Sequence, residues 1–409
     1  MKPKEILAIE KHYDITLEEV KSVMEIIGWY HKNSYLLDEK KEIIGLTLIR
    51  SSLSDISFLQ FLINLKYLNL FSNTITDISF LKVAINLVKL DLESNQISDF
   101  SSLKSLTNLT HLTLEGNLIS DISFLQSLTN LVYLDLSCNS STLNYSFLEP
   151  LINLRSLILS ENRITDISFL KSLTNLTTLD LWDSKILDTS PLKSLLNLKK
   201  LNLYENKLLD YSFLEPLTNL THLDLTDNHI SDIPSLQSLT NLTHLFLSNN
   251  QISDIASLQS LTNLTHLDLL DNQILDITSL QSLTNLTSLN LDNNKISDIS
   301  SLQSLTNLTG LYLEHTQISD ISFLQSLTNL TYLYLSENQI LDISSLQSLT
   351  NLTQLHLNYN QILDISSLQS LTNLTWLKLE NNPFLDKLPA AMQSKDDLEI
   401  LRYWVSNLV

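Results

Sequence analysis

Three histidines, His222, His244 and His266, stand 22 residues apart, and two of them are followed two places on by aspartates, Asp224 and Asp268. Imidazole and carboxylate are zinc ligands and proton-transfer groups, so metal-dependent chemistry would have to sit here. On neighbouring parallel strands such side chains would project alongside one another about 4.8 Å apart, near enough for adjacent members to share an ion. The outer pair would stand about 10 Å apart at the backbone, which strains a single three-histidine site. Copying of a Leu-Thr-His-Leu segment accounts for the series without any ligand. No metal or other cofactor is therefore expected.

Other chemistries lack their residues. The four glycines, Gly28, Gly45, Gly116 and Gly310, lie far apart, so no Gly-x-Gly-x-x-Gly or Gly-x-x-x-x-Gly-Lys-[Ser/Thr] loop can be written and phosphate-cradling loops are excluded. Cys138, the single cysteine, has no base in a nucleophilic constellation and no intrachain disulfide partner. A free thiol in a reducing compartment is the expectation, and with no continuous apolar leader at the start the chain reads as cytoplasmic. No apolar run approaches the roughly 18 residues of a membrane span, so no membrane partner is expected.

The elements that must carry these side chains follow from periodicity. From Ile43 to Asn373 the chain repeats every 22 residues, in fifteen units of which one has 23. In the unit Leu264–Asn285, aliphatics occupy positions 1, 4, 6, 11, 14, 17 and 20. Positions 4 and 6 alternate as in a strand, whereas 14, 17 and 20 recur every three residues, as in a 3₁₀ or α turn. So short a unit cannot bury its apolar face alone and must stack on its neighbours. The expected product is a curved solenoid with a parallel β-sheet on the concave face and short 3₁₀ or α turns on the convex face.

Three polar columns support that reading. Position 9 is Asn in most units, replaced by Ser51, Ser184 and Thr316, and its amide can satisfy backbone groups of its own and the adjacent coil. Position 13 is Asp in all units but one, where Asn144 stands, and it can cap the outer turn. Position 22 is always Asn, expected in αL geometry where the turn ends. The Asp column alone supplies fourteen acids; without it the net charge of −20 becomes −6. The remaining acidity argues against nucleic acid, which needs a basic footprint.

The segment Leu261–Ile277, Leu-Thr-Asn-Leu-Thr-x-Leu-x-Leu-x-x-Asn-Gln-Ile-x-Asp-Ile, resembles the 22-residue leucine-rich repeat of bacterial internalins. This resemblance implies an α/β leucine-rich-repeat solenoid that binds through its concave face. The stretch Trp29–Leu48 is similar to the lead-in of bacterial leucine-rich-repeat proteins, including some of the Roco group, without the GTPase and its P-loop.

Residues 1–42 are expected to form an N-terminal helical cap with a hairpin lead-in, 43–379 the solenoid, and 380–409 a C-terminal helical cap. In the first, Thr16-Leu-Glu-Glu19 has capping-box form with Val20, Val23, Met24 and Ile27 at helical spacing, and two strands, Tyr35–Leu37 and Glu42–Leu48, flank a charged turn. In the last, Asn382-Pro383 interrupts a sixteenth unit, and Ser394 opens a helix with Leu398, Leu401, Val405 and Leu408 on one side.

Positions 3, 5 and 7 face away from the core, with position 8 at the rim. There the monotony breaks into aromatics: Phe71, Trp182, Tyr204, Phe246, Tyr312, Tyr332, Tyr334, Tyr359 and Trp376. Exposed aromatics concentrate interface energy. The least regular stretch sets Trp182 and Tyr204 among basic residues that include Lys200. The expectation is a monomeric, non-enzymatic module that binds a protein or peptide on this face. Its alternatives are a regulatory subunit or adaptor for a separately encoded phosphatase or GTPase, and a metal-dependent enzyme using the histidine and aspartate cluster.

Overall fold

The computed structural model describes residues 2–27, 32–139, 143–208, 211–393 and 395–407. They fall into two compact units, Met1–Asn202 and Leu203–Val409. The first begins with helix α1 (Lys4–Tyr13), strand β1 (Glu18–Val20), helix α2 (Val23–Ile27) and strands β2 (Ser34–Leu37) and β3 (Ile43–Thr47). The lead-in residues Trp29, Tyr30 and His31 lie outside the described residues.

Thr16–Glu19 does not open a helix. Glu18–Val20 pairs in parallel with β2, Glu18 opposite Ser34, and so covers the backbone edge that β2 would otherwise leave open. The helix cap sits further on: Ser22 Oγ accepts from the Glu25 amide at 3.2 Å and donates to the Glu25 carboxylate at 2.8 Å, and α2 follows at once. The expected pair of strands is present as antiparallel β2 and β3. Asp38 holds their connection, accepting from the amides of Lys40 and Glu42 at 2.9 Å each.

From β3 onward the first unit continues through seven three-residue strands, Tyr67–Asn69 to Lys200–Asn202, each paired in parallel with its predecessor. The second unit holds eight, His222–Asp224 to Trp376–Lys378, likewise parallel. The central residue of every one of these strands is a leucine turned into the core, as Leu267 is, so its two neighbours face the other way. On the opposite side, 3₁₀ turns such as Ala256–Ser260 bury Leu258 and its equivalents. Each fully buried leucine contributes about 1.5–3 kcal/mol of transfer free energy, which a lone unit could not realise.

The columns anticipated from sequence hold the coils together. Asn250 Nδ2 donates to the carbonyls of Leu225 and Leu247 at 3.0 Å each, while its Oδ1 accepts from the Ile230 amide at 3.0 Å. The Asp column caps the outer turns: Asp254 Oδ1 accepts from the Ala256 amide at 2.8 Å, and Asn144 does the same for Ser146. Left-handed geometry is not where it was expected. It falls at position 8, three residues past the strand, as in Ser72, Cys138, Asp227 and Tyr359, and again at position 10 in Ser52, Arg163 and Lys207. The position-22 asparagines instead bridge coils, Asn285 Nδ2 reaching the Thr262 carbonyl at 2.9 Å.

Asn382 is no interruption either. It adds a rung to the asparagine ladder, donating to Leu357 and Leu379 and accepting from Ile362, and Pro383 opens one more 3₁₀ turn, Pro383–Lys387. Helix α3 (Asp397–Ser406) follows, capped by Asp396, which accepts from the Leu398 amide. Ser394 and Leu408, assigned to this helix from the sequence, lie outside the described residues. Ile400 and Leu401 are its buried residues, and Trp404 meets Phe384 edge-on at 5.6 Å. Leu398 and Val405 are only half-buried, so the packed face is rotated from the expected one. No helix among the described residues is long and apolar enough to cross a membrane.

Candidate interaction surface

Strand positions 3 and 5, with position 7 just beyond, present side chains on the open side of each unit's sheet. In the second unit the histidine column forms a stack, with His222 and His244 ring centroids 4.3 Å apart at 8° and His244 and His266 4.4 Å apart at 7°. Each Nδ1 lies 2.9–3.0 Å from the hydroxyl of the preceding threonine, Thr221, Thr243 or Thr265. Thr243 and Thr265 spend their hydroxyl protons on the carbonyls of Thr221 and Thr243, so their oxygens accept from Nδ1–H of His244 and His266. The Nε2 lone pairs of these two rings then lie in parallel planes. A metal ion sits in the plane of each imidazole that binds it, so stacked rings do not converge on a common ion. Among the described residues, no group of three or more His, Cys, Asp or Glu side chains is arranged to hold a metal. Asp224 and Asp268 flank Phe246 in register on the adjacent column.

Further along the second unit the aromatics meet. Tyr312 and Tyr334 are edge-on at 5.0 Å, and Tyr334 stacks on His356 at 3.8 Å. Tyr334 donates its phenol to Gln354 at 2.7 Å, and His356 Nδ1 lies 3.2 Å from Glu314. That imidazole, ahead of the Ser336 hydroxyl, holds the Glu314 carboxyl below its ordinary range, against the effect of burial. Asp292 is pushed the other way, to about 7, chiefly by burial and then by Glu314. Tyr332, Tyr359 and Trp376 are 39, 51 and 55% exposed, large values for such side chains.

The sequence grouped Trp182, Lys200 and Tyr204 in one zone. Trp182 and Lys200 lie in the first unit, on consecutive coils, and Tyr204 belongs to the second. Trp182 is half-buried, its amide donating to Asp180 at 3.0 Å, and Lys200 is exposed beside Thr178. The Tyr204 phenol donates a hydrogen bond to the Asp227 carboxylate, and this is the leading cause of its raised pKa. Burial is the leading cause of the rise in the Cys138 thiol pKa to about 11, which removes it from nucleophilic use.

A feature the sequence reading passed over lies nearer the start. On the open face of the first unit, a hollow of about 480 Å³ is lined by the rings of Tyr67, Phe71, His111 and Tyr133 and by the carboxylates of Asp91, Glu93, Glu115 and Asp135. His111 and Tyr133 stack at 6.0 Å, and Arg50 stands over the Phe71 ring at 5.4 Å. Burial raises all four carboxyls, Asp91 to about 6 and, with repulsion from Glu115 adding to it, Glu93 to about 7. Among the described residues none of the four pairs with a Lys or Arg nitrogen within 4.0 Å. The signal was present as acids at positions 5 and 7 of the unit beginning at Leu87, followed by acids at position 7 and then 5 of the next two.

Leucine-rich-repeat patterns match residues 62–79, 85–149, 152–194, 196–238, 240–348 and 328–384, those from 85 to 348 as a two-copy motif. No curated protein matches the chain. Among solved structures, an internalin, inlF, from Listeria monocytogenes is 34% identical over 83% of this chain and 91% of its own, with a TM-score of 0.55. A leucine-rich-repeat protein of Leptospira interrogans is 24% identical over 88% of this chain and 99% of its own, with a TM-score of 0.72, a likeness of fold. A plant peptide hormone receptor shares the fold at 21% identity over 84% of this chain and 67% of its own, with a TM-score of 0.61. Such repeats are typical of protein–protein interaction modules and of non-enzymatic scaffolds. With matching patterns over most of its length and an internalin at 34% identity, the chain belongs to the leucine-rich-repeat family, with 22-residue repeats of the internalin class.

Proposed function

We propose that this chain is a non-enzymatic interaction module that binds a protein or peptide on the open face of its sheet, as a monomer in the cytoplasm. The observation that carries the reading is the contrast between its two sides. On the outer side, Ser and Asn side chains are consumed in bonds between coils, as where Ser260 and Asn263 reach the carbonyls of Gln237 and Thr240. On the open side, aromatic rings stand partly exposed beside mixed charges, the composition of an interface centre. The plant receptor, similar in fold alone, has been solved in complex with RGF2, so the architecture can carry a ligand. One free cysteine suits a reducing compartment.

The test is affinity purification of the intact protein from its native host, with mass spectrometry of what accompanies it. The captured partner is then titrated against Trp182→Ala and Trp376→Ala. Wild-type affinity in both, and in variants of the intervening aromatics, would remove the open face from the reading.

A further inference from the structure

We infer that the hollow on the sheet face of the first unit receives an arginine side chain from a basic segment of the partner. The inference rests on the sheet-face reading above and gives the partner a chemistry. The hollow combines two features that favour one kind of group. Tyr67, Phe71 and Tyr133 supply ring faces, and Asp91, Glu93 and Glu115 supply carboxylates that lack a counter-ion within ion-pair distance among the described residues. A guanidinium is planar, stacks on aromatic rings and donates two parallel hydrogen bonds to a carboxylate. The chain already shows the first half of that recognition at the margin, where Arg50 covers Phe71 at 5.4 Å.

The charge balance of the lining points the same way. Lys89, the lysine of the hollow, has its ammonium pKa lowered by desolvation, and His111 is likewise biased to the neutral form, by burial and then by Lys89. Four carboxyl groups therefore share the hollow with two basic side chains besides His111, Arg50 and Lys89, and Arg50 is already engaged with a ring. Glu93 and Glu115 are raised first by burial and then by the neighbouring acids, and bringing in an arginine relieves that second contribution. A neutral or acidic segment gains no such relief.

The experiment titrates the full chain with acetyl-tetra-arginine amide and with its citrulline counterpart, which keeps the shape and removes the charge. Arginine should bind at least about tenfold tighter, and Glu93→Gln/Glu115→Gln should weaken it by about tenfold, the loss expected for one charge-assisted contact. Glu149→Gln/Glu215→Gln changes the net charge equally at exposed sites outside the hollow and should leave affinity within about twofold. Phe71→Ala should also weaken binding, with unchanged circular dichroism in every variant. Equal affinity for the citrulline peptide, or an equal loss in the exposed control pair, overturns the assignment. Peptides selected from a random library supply the separation from the broader reading. Capture that depends on Trp182 or Trp376 but not on Glu93 and Glu115 keeps the sheet face and overturns the arginine site. Capture indifferent to every sheet-face variant overturns both.

Discussion

Asn250 occupies a point where one amide serves four backbone groups, donating to Leu225, Leu247 and Ser248 and accepting from Ile230. Asn250→Leu adds apolar surface to a leucine-rich core and yet should destabilise the protein, since each buried group left unpaired costs about 1–3 kcal/mol. Urea denaturation with no fall in midpoint would contradict the ladder's role. Gln259→Ala is the counterpart: its exposed side chain makes no bond, while its carbonyl accepts from Ser282 whatever the side chain, so near-neutrality is expected in the same assay. The acids of the first unit's hollow make a prediction about pH. Glu93, with a folded pKa near 7, binds its proton more tightly in the native state than in the unfolded chain, whose carboxyl titrates at about 4.3. Stability linked to this group is therefore full below the unfolded value and falls as pH rises through about 7. Asp91, Glu115 and Asp135 act in the same sense, while Arg50, Lys89 and His111 line the same hollow as bases. Glu93→Gln should raise the unfolding midpoint at about pH 8 and lose that advantage near pH 4, where the wild-type carboxyl is already protonated. An equal shift at both pH values would show that charge is not the cause.

At the scale of elements, the ends depend on single contacts that periodicity does not specify. α2 packs on β2 and β3 through Gly45, where an added Cβ would stand 2.9 Å from Ile26 Cγ1 and 3.0 Å from Leu36 Cβ. Gly45→Ala should cost about 1–3 kcal/mol by overpacking, with earlier thermal unfolding as the readout. At the other end Asp397 reaches back from α3 to accept from the Leu379 amide at 2.8 Å, just past the last strand, whose open edge would otherwise leave that donor unpaired. Asp397→Ala should lower stability by about 1–3 kcal/mol and speed hydrogen exchange at the Leu379 amide, whereas unchanged exchange there would refute the contact. These caps also mark where reading by pattern stopped. Thr16–Glu19 and Ser22–Glu25 both match a capping box, and what separates them is the long-range pairing of Glu18 with Ser34, which no local window contains. The repeat itself was legible because leucine spacing, the Asn and Asp columns and the stacking requirement agree in most units, the exceptions being Ser51, Asn144, Ser184 and Thr316. The left-handed corner at position 8 was not, because Arg, Ser, Asp, Glu, Cys, His and Tyr occupy it in most units, and Gly116 and the asparagines Asn249, Asn293 and Asn381 are too few to mark a column.

At the scale of the molecule, the open face was legible as a set of columns but its local groupings were not. Aromatic residues signalled themselves by breaking the copied pattern, yet the hollow at Asp91 and Glu93 is assembled from ordinary acids whose burial appears only once the strands are side by side. The division into two units bears on the test of function, because Trp182 and Lys200 lie in the first and Trp376 in the second. A partner seated on the first unit should lose about 2 kcal/mol or more of binding free energy with Trp182→Ala, as a desolvated aromatic anchor does. Lys200 is exposed, so Lys200→Glu should act mainly on the association rate, and its effect should shrink as salt screens the charge. Trp376→Ala should matter less unless the partner also engages the second unit. Surface plasmon resonance on the three variants, after circular dichroism confirms their folds, separates the cases. A large loss with Trp376→Ala beside wild-type affinity for Trp182→Ala would move the binding centre to the second unit's aromatics around Tyr332 and Tyr359.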